Sequence, residues 1–202
     1  MEDKIVLIGG GGHCRVVIDA IRKAGLYEIA GIVDSNLPRG EKVLGIKVLG
    51  SDDLLQEFYN SGTKLAFIAI GSTGDCSVRL KVNKMLESIG FKLPVIIHPN
   101  SIIGEGVSID EGTFVAAGAV INTGTKIGKN AIINTSSSID HDCAIGDFVH
   151  IAPGVTLSGG VRIGIESHIC TGASVIQNIK IGKRCLISAG FVAKNNQPDY
   201  TK

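Results

Sequence analysis

Asp140, His141 and Asp142 set an imidazole between two carboxylates, in a chain with only five histidines. A carboxylate bonded to one ring nitrogen fixes the tautomer and makes the other nitrogen a stronger base. A lone histidine on a solvated face needs no explanation, but one flanked by carboxylates suits proton abstraction. A second patch lies near the N-terminus. The apolar run Lys4–Ile8 ends in Gly9-Gly10-Gly11-Gly12-His13, where bare backbone N–H groups could face a phosphate. Cys14 occupies the last glycine position of a Gly-x-Gly-x-x-Gly pattern, so a nucleotide site and a plain tight turn both remain open. Asp34, some twenty residues on, stands where an acidic residue meets a ribose in dinucleotide folds. Backbone contacts from Gly11, Gly12 and His13, with Asp34 and Gly71 in the same crevice, would suit a nucleotide-linked ligand.

The element that must position His141 is a repeat. From Ile97 to Val192 a six-residue pattern recurs sixteen times without an insertion, led by Ile, Val or Leu, with a small or branched side chain four places later. Six is neither the helical 3.6 nor the strand period of two, so it belongs to a larger unit, the coil of a parallel β-helix. Three hexads make an eighteen-residue triangular coil, stacking equivalent residues about 4.8 Å apart. Ile109, Ile127, Ile145, Ile163 and Ile181 then form one core ladder. The residues after each leading aliphatic (Gly104, Asp110, Asn122, Gly128, Asn134, Asp140, Gly146, Gly164 and Gly182) are expected at turns with unusual dihedrals. His150 and His168 should stack on one outward face, with His141 beside a corner of the preceding wall. Asn134, one hexad earlier, could add an amide contact to His141. Cys143 falls in an inward slot without a cationic activator, so core packing is its expected role.

Residues 1–92 follow another rhythm. Strand patterns at Lys4–Ile8, Ile29–Val33, Val43–Val48 and Leu65–Ile70 alternate with helical patterns. Those run from the glycine turn to Gly25, over Asp52–Tyr59 and over Ser77–Ile89. This predicts a doubly wound, Rossmann-like α/β domain over residues 1–92 and a β-helix over 93–202, with Leu93-Pro94 marking the change. Charge is nearly balanced (20 Lys and Arg against 19 Asp and Glu), Trp is absent and no basic run occurs. A nucleic-acid partner is not expected, nor a membrane span. Five cysteines without a CxxC pair fit a cytoplasmic protein. Zinc sites on such β-helices pair histidines five apart; no pair here has that spacing, so no metal is expected.

The uninterrupted hexads resemble hexapeptide-repeat acyltransferases, whose β-helix is left-handed and whose active unit is a homotrimer. A narrower resemblance rests on Ile-Val-Leu-Ile-Gly-Gly-Gly-Gly-His13, Ile-Val-Asp34-Ser35, Phe-Ile-Ala-Ile-Gly71 and Asn134-Thr-Ser-Ser…Asp-His141-Asp. Together these are similar to the NeuD/PglD sugar N- and O-acetyltransferases. The resemblance implies acetyl-CoA as donor, His141 as general base and Asp142 as the acid holding its ring; Asn134, by its place one hexad earlier, is the third residue expected at this catalytic site. The resemblance further implies that His150, Gly159, Thr171 and Ala189 bind the cofactor, while Gly11, Gly12, His13, Asp34, Ser35 and Gly71 hold the substrate's nucleotide. The expected activity is N-acetylation of a nucleotide-linked 4-amino-4,6-dideoxy sugar; the alternative is O-acetylation of sialic acid. An NAD-linked oxidoreductase and a non-catalytic nucleotide-sugar scaffold are readings of other classes. The resemblance also implies a closing Gly-x-Pro-Ala-Lys-like strand. Here Gln197-Pro-Asp-Tyr-Thr-Lys202 stands instead, so either the sequence is a shortened one or the helix is capped otherwise.

Overall fold

The computed structural model describes residues 3–202. The chain divides into two compact units. One holds the residues up to Ser72 together with Ser77–Pro94; the other holds Val95–Lys202 and the short segment Thr73–Cys76.

The first unit is built on a five-stranded sheet whose strands lie in the order β3 (Lys42–Val43), β4 (Ile46–Gly50), β2 (Tyr27–Val33), β1 (Asp3–Ile8) and β5 (Leu65–Ile68), all parallel except the edge strand β3. β1 (Asp3–Ile8) and β5 (Leu65–Ile68) bury near-continuous apolar runs, as parallel strands covered on both faces must. α1 (Gly12–Ala24) follows β1 and closes on Gly25, which takes φ 65° and donates its N–H to the Ile21 carbonyl at 3.0 Å. The single strand expected over Val43–Val48 is a hairpin: β3 (Lys42–Val43) turns into β4 (Ile46–Gly50), which pairs with β2 (Tyr27–Val33). Leu44 and Gly45 both take positive φ, 47° and 84°, which a two-residue hairpin turn requires. The helix expected over Asp52–Tyr59 starts as a 3₁₀ turn, Asp52–Leu54, before α2 (Leu55–Asn60); α3 spans Ser77–Ile89.

The second unit is a left-handed parallel β-helix of two-residue strands on three walls. The first wall stacks strands from Ile96–Ile97 to Leu186–Ile187, the second from Ile102–Ile103 to Val192–Ala193, and the third from Ser108–Ile109 to Lys180–Ile181. Register is eighteen throughout, as in Ile133↔Ile151 and His150↔His168. The leading aliphatics fill the core: Ile121, Ile133, Ile139, Ile151 and Leu157 are fully buried. Inward hydroxyls bond backbone instead of lying unsatisfied. Thr125 Oγ1, for example, donates to the Asp140 carbonyl and accepts from the Cys143 N–H. Cys143 is buried and its thiol is pushed up by burial, in keeping with a packing role.

The turn expectation needs correction. Positive φ falls three places after the leading aliphatic, at residues such as Gly124, Asn130, Asp142 and Phe148, and not one place after. Gly104, Gly128, Gly146, Gly164 and Gly182 are glycine for another reason, the approach of the next coil. A Cβ on Gly164 would stand 2.6 Å from the backbone of Gly182 and Lys183.

Beyond Ala193 the chain pairs with the preceding coil. Gln197 bridges to Ile181, the Leu186 N–H donates to the Thr201 carbonyl, and Cys185 Sγ donates to the Pro198 carbonyl at 3.0 Å. These contacts make residues 194–202 a final short coil. It pairs residues 16 apart, Ile181 with Gln197, where the other coils pair residues 18 apart, and the Lys180 and Lys183 N–H groups donate to Asn196 Oδ1 and Asp199 Oδ1. No helix among the described residues is long and apolar enough to cross a membrane.

Candidate active site

His141 and Asp142 form the turn between the second-wall strand Ser138–Ile139 and the third-wall strand Ala144–Ile145. Asp142 takes φ 59°, and this left-handed conformation brings its carboxylate back onto its neighbour. His141 Nδ1 and Asp142 Oδ2 are 2.8 Å apart. On the other side, Asp140 Oδ1 accepts from the His141 backbone N–H at 2.8 Å and from Asn122 Nδ2 at 3.1 Å. The bond to Asp142 and, after it, the charge of Asp140 hold the His141 pKa above its ordinary value. With Nδ1 engaged, Nε2 faces an open groove of about 480 Å³ lined by Ser158, Gly159, Gly160, Gln177 and Asn178. The imidazole lies over Gly159, where a Cβ would meet Nε2 at 2.6 Å.

Other residues expected at this site lie elsewhere on the chain. Asn134 does not reach His141. It sits at the corner between the first and second walls, and its amide meets His150 Nε2 at 3.1 Å. Asn134 Oδ1 accepts from the Thr135 N–H, which leaves its NH₂ to face the His150 ring. Thr171 and Ala189 share that corner, eighteen residues apart. Within one chain the predicted residues therefore form two sets on opposite edges of the second wall. Asn134, His150, Thr171 and Ala189 lie on one edge, and His141, Asp142 and Gly159 on the other.

His150 and His168 stack as expected, with ring centroids 4.4 Å apart and planes 18° from parallel. They are not on a solvated face, however; each is only 8% exposed. The Gly74 N–H donates to His168 Nδ1 at 2.8 Å, so part of their cover is the segment Thr73–Cys76. Burial lowers the His168 pKa.

In the first unit Gly11, Gly12, His13, Asp34, Ser35 and Gly71 line one cavity of about 510 Å³. The four glycines of its turn divide by cause. Gly9 takes φ 95° and a Cβ there would strike Ile70 at 2.4 Å; one on Gly10 would strike Leu37 at 2.4 Å. Gly11 and Gly12 have neither constraint, and a Cβ on either would meet nothing within 4 Å. Asp34 is spent largely on scaffolding: Oδ2 accepts from the Gly10 N–H and Oδ1 from the N–H groups of Asn36 and Leu37. Burial, and then the nearby Arg79 guanidinium, push the His13 pKa down to about 4, so its ring is neutral near pH 7.

Residues 4–86 match the model of the PglD N-terminal domain, and residues 124–159 that of the bacterial transferase hexapeptide with six repeats. PerB from Caulobacter crescentus, solved in complex with CoA and GDP-perosamine, is 38% identical. That match covers 97% of this chain and 91% of PerB, with a TM-score of 0.91. The chain belongs to the NeuD/PglD family of sugar acetyltransferases. The acetyltransferase domain of PglB from Neisseria gonorrhoeae FA1090 is 35% identical, with a TM-score of 0.89, covering 98% of this chain and 95% of that domain. A GDP-perosamine N-acetyltransferase from Escherichia coli O157:H7 is 31% identical over 120 residues. That match takes in 59% of this chain and 52% of the relative, so the chain spans about half the length of the curated relative it matches.

For this NeuD/PglD member, two contacts escaped sequence reasoning. The Asn122–Asp140 bond could have been found from the eighteen-residue spacing, since the two stack on one corner. The Gly74–His168 bond joins residues 94 apart and leaves no periodic trace. The dyad also has a pH signature. If His141 is a general base it acts unprotonated, and kcat/KM should then rise with pH through its pKa, on a limb lying above the ordinary histidine value of about 6.5. Asp142→Asn removes the leading cause of the upward shift. The acidic limb of the pH–rate profile should then move to lower pH while the plateau falls. A limb that stays in place would show that Asp142 does not set the basicity of His141.

Proposed function

We propose that this protein is an acetyl-CoA-dependent N-acetyltransferase acting on a nucleotide-linked 4-amino-4,6-dideoxy sugar, with His141 as the general base. The observation that carries this reading is the geometry of one ring: Nδ1 tied to Asp142, Nε2 turned to an open groove. Nε2 takes a proton from the sugar amine as its nitrogen bonds to the thioester carbonyl carbon. Collapse of the tetrahedral intermediate breaks the C–S bond, and the imidazolium returns its proton to the departing thiolate. A positioned base supplies about 10²–10⁴-fold.

The cavity beside Gly11 and Gly12 is the proposed nucleotide site. These two glycines leave open space where side chains would stand, and α1 points its N-terminal N–H groups there, which suits a diphosphate. Gly9→Ala and Gly11→Ala should therefore part company. The first should lower the melting temperature, because it forces a side chain into φ 95° against Ile70. The second should leave melting unchanged and raise KM for the nucleotide sugar. Equal effects from both would remove the ligand role of Gly11. A homotrimer is the proposed assembly, because a neighbouring copy could set its His150, Thr171 and Ala189 edge against the His141 edge of the first.

The relatives named above favour a GDP-linked sugar as the first substrate to try. The deciding experiment is thiol release from acetyl-CoA with GDP- and UDP-linked 4-amino-4,6-dideoxy sugars and with free sialic acid. Turnover confined to sialic acid would favour O-acetylation. NADH binding without acetyl-CoA binding would favour an oxidoreductase, and nucleotide-sugar binding without turnover a scaffold.

A further inference from the structure

Each hexad has a slot two places after its leading aliphatic, and Gly159 is the one glycine among the sixteen. The other fifteen hold Pro, Glu, Ala, Thr, Lys, His, Asp, Ile or Gln, as at Pro99, Glu105, Lys129 and Ile165. The β-helix therefore does not demand glycine in this slot. Nor does the local backbone, since Gly159 is outside the left-handed region that its neighbour Gly160 occupies at φ 71°. What a Cβ at Gly159 would meet first is the imidazole one coil earlier in the same slot. It would stand 2.6 Å from His141 Nε2, 2.7 Å from Cε1 and 3.2 Å from Cδ2. Gly159 cannot recede to make room. The Gly160 N–H donates to the His141 carbonyl at 2.9 Å, and the Gly159 carbonyl accepts from the Asn178 N–H at 3.0 Å, pinning the coil on both sides.

We infer that Gly159 is a positioning residue for His141: its bare Cα is the floor on which the imidazole lies, and a side chain there lifts the ring from Asp142. The ring is what yields, because His141 is more than half exposed and can swing into solvent at little cost. This inference rests on His141 being the base, and it differs from a backbone contact between Gly159 and acetyl-CoA, the role the family resemblance implies.

Gly159→Ala tests it. The melting temperature should match the parent, because alanine suits both the backbone and the slot. In the unliganded protein, the His141 pKa followed by NMR should fall toward its ordinary value as the bond to Asp142 is lost. With substrates, kcat should fall about 10²-fold, the scale expected for an ångström of misplacement, with both KM values little changed. In a His141→Ala background, the same substitution should alter neither residual rate nor CoA affinity, since the group it acts through is gone. An unchanged His141 titration would overturn the inference, as would an equal loss of CoA affinity in both backgrounds. The titration needs no substrate, so a failure of the proposed activity leaves this test intact and is read separately in the turnover assay.

Discussion

His141→Ala should lower kcat by about 10²–10⁴-fold while leaving the fold and both KM values near those of the parent. The fold should survive because the side chain is 56% exposed at a turn and contributes nothing to the core. Its backbone contacts persist in the variant: the N–H still meets Asp140 and the carbonyl still accepts from Gly160. Substrate affinity should survive because the first-unit cavity is formed by other residues. A loss confined to kcat is the mark of a group acting in the transition state and not in ground-state binding. Steady-state kinetics beside a thermal melt measure all three quantities. Retention of the parent rate would remove His141 from the chemistry and leave the Asp-His-Asp turn a solvated corner.

How much of this was legible beforehand depended on the range of the interaction. The hexads showed the β-helix because each leading aliphatic repeats one local requirement, and the same period put His150 and His168 in register. It misplaced the left-handed residues, because a glycine crowded by the next coil and a glycine at positive φ look alike in a sequence. Gly164 and Gly160 are these two cases. Chain proximity alone sets Asn134 beside His141. In the structure a whole wall separates them, and the amide serves His150. The cover on His168 comes from a segment that the sequence places in the other domain, which no periodicity could reveal. The glycine turn was legible as a turn. Which of its glycines serve the backbone and which leave room for a ligand required the positions of Ile70 and Leu37.

Ile139→Ala, two residues from the proposed base, should do the reverse of His141→Ala. It should cost about 2–5 kcal/mol of stability while folded molecules keep the parent kcat. Ile139 is fully buried in an unbroken ladder, with Ile121 on one side and Leu157 on the other. The cavity left by truncation cannot close easily. The backbone around it is fixed by the Asp140 N–H donating to the Leu157 carbonyl and the Asn122 N–H donating to the Ile139 carbonyl, both at 2.9 Å. A β-helix adds to the cost, since each coil is held only by its two neighbours and an interior coil loses packing on both sides. Ile103, 38% exposed near the start of the helix, should lose much less on the same change. The turn that carries His141 should persist, because the same ladder bonds that prevent collapse keep Asp140 and His141 in register. Urea unfolding gives the stability difference, and kinetics well below the transition give kcat for the folded fraction. A fall in kcat as large as that from His141→Ala would mean that the core ladder, and not the turn with its two carboxylates, sets the position of the base.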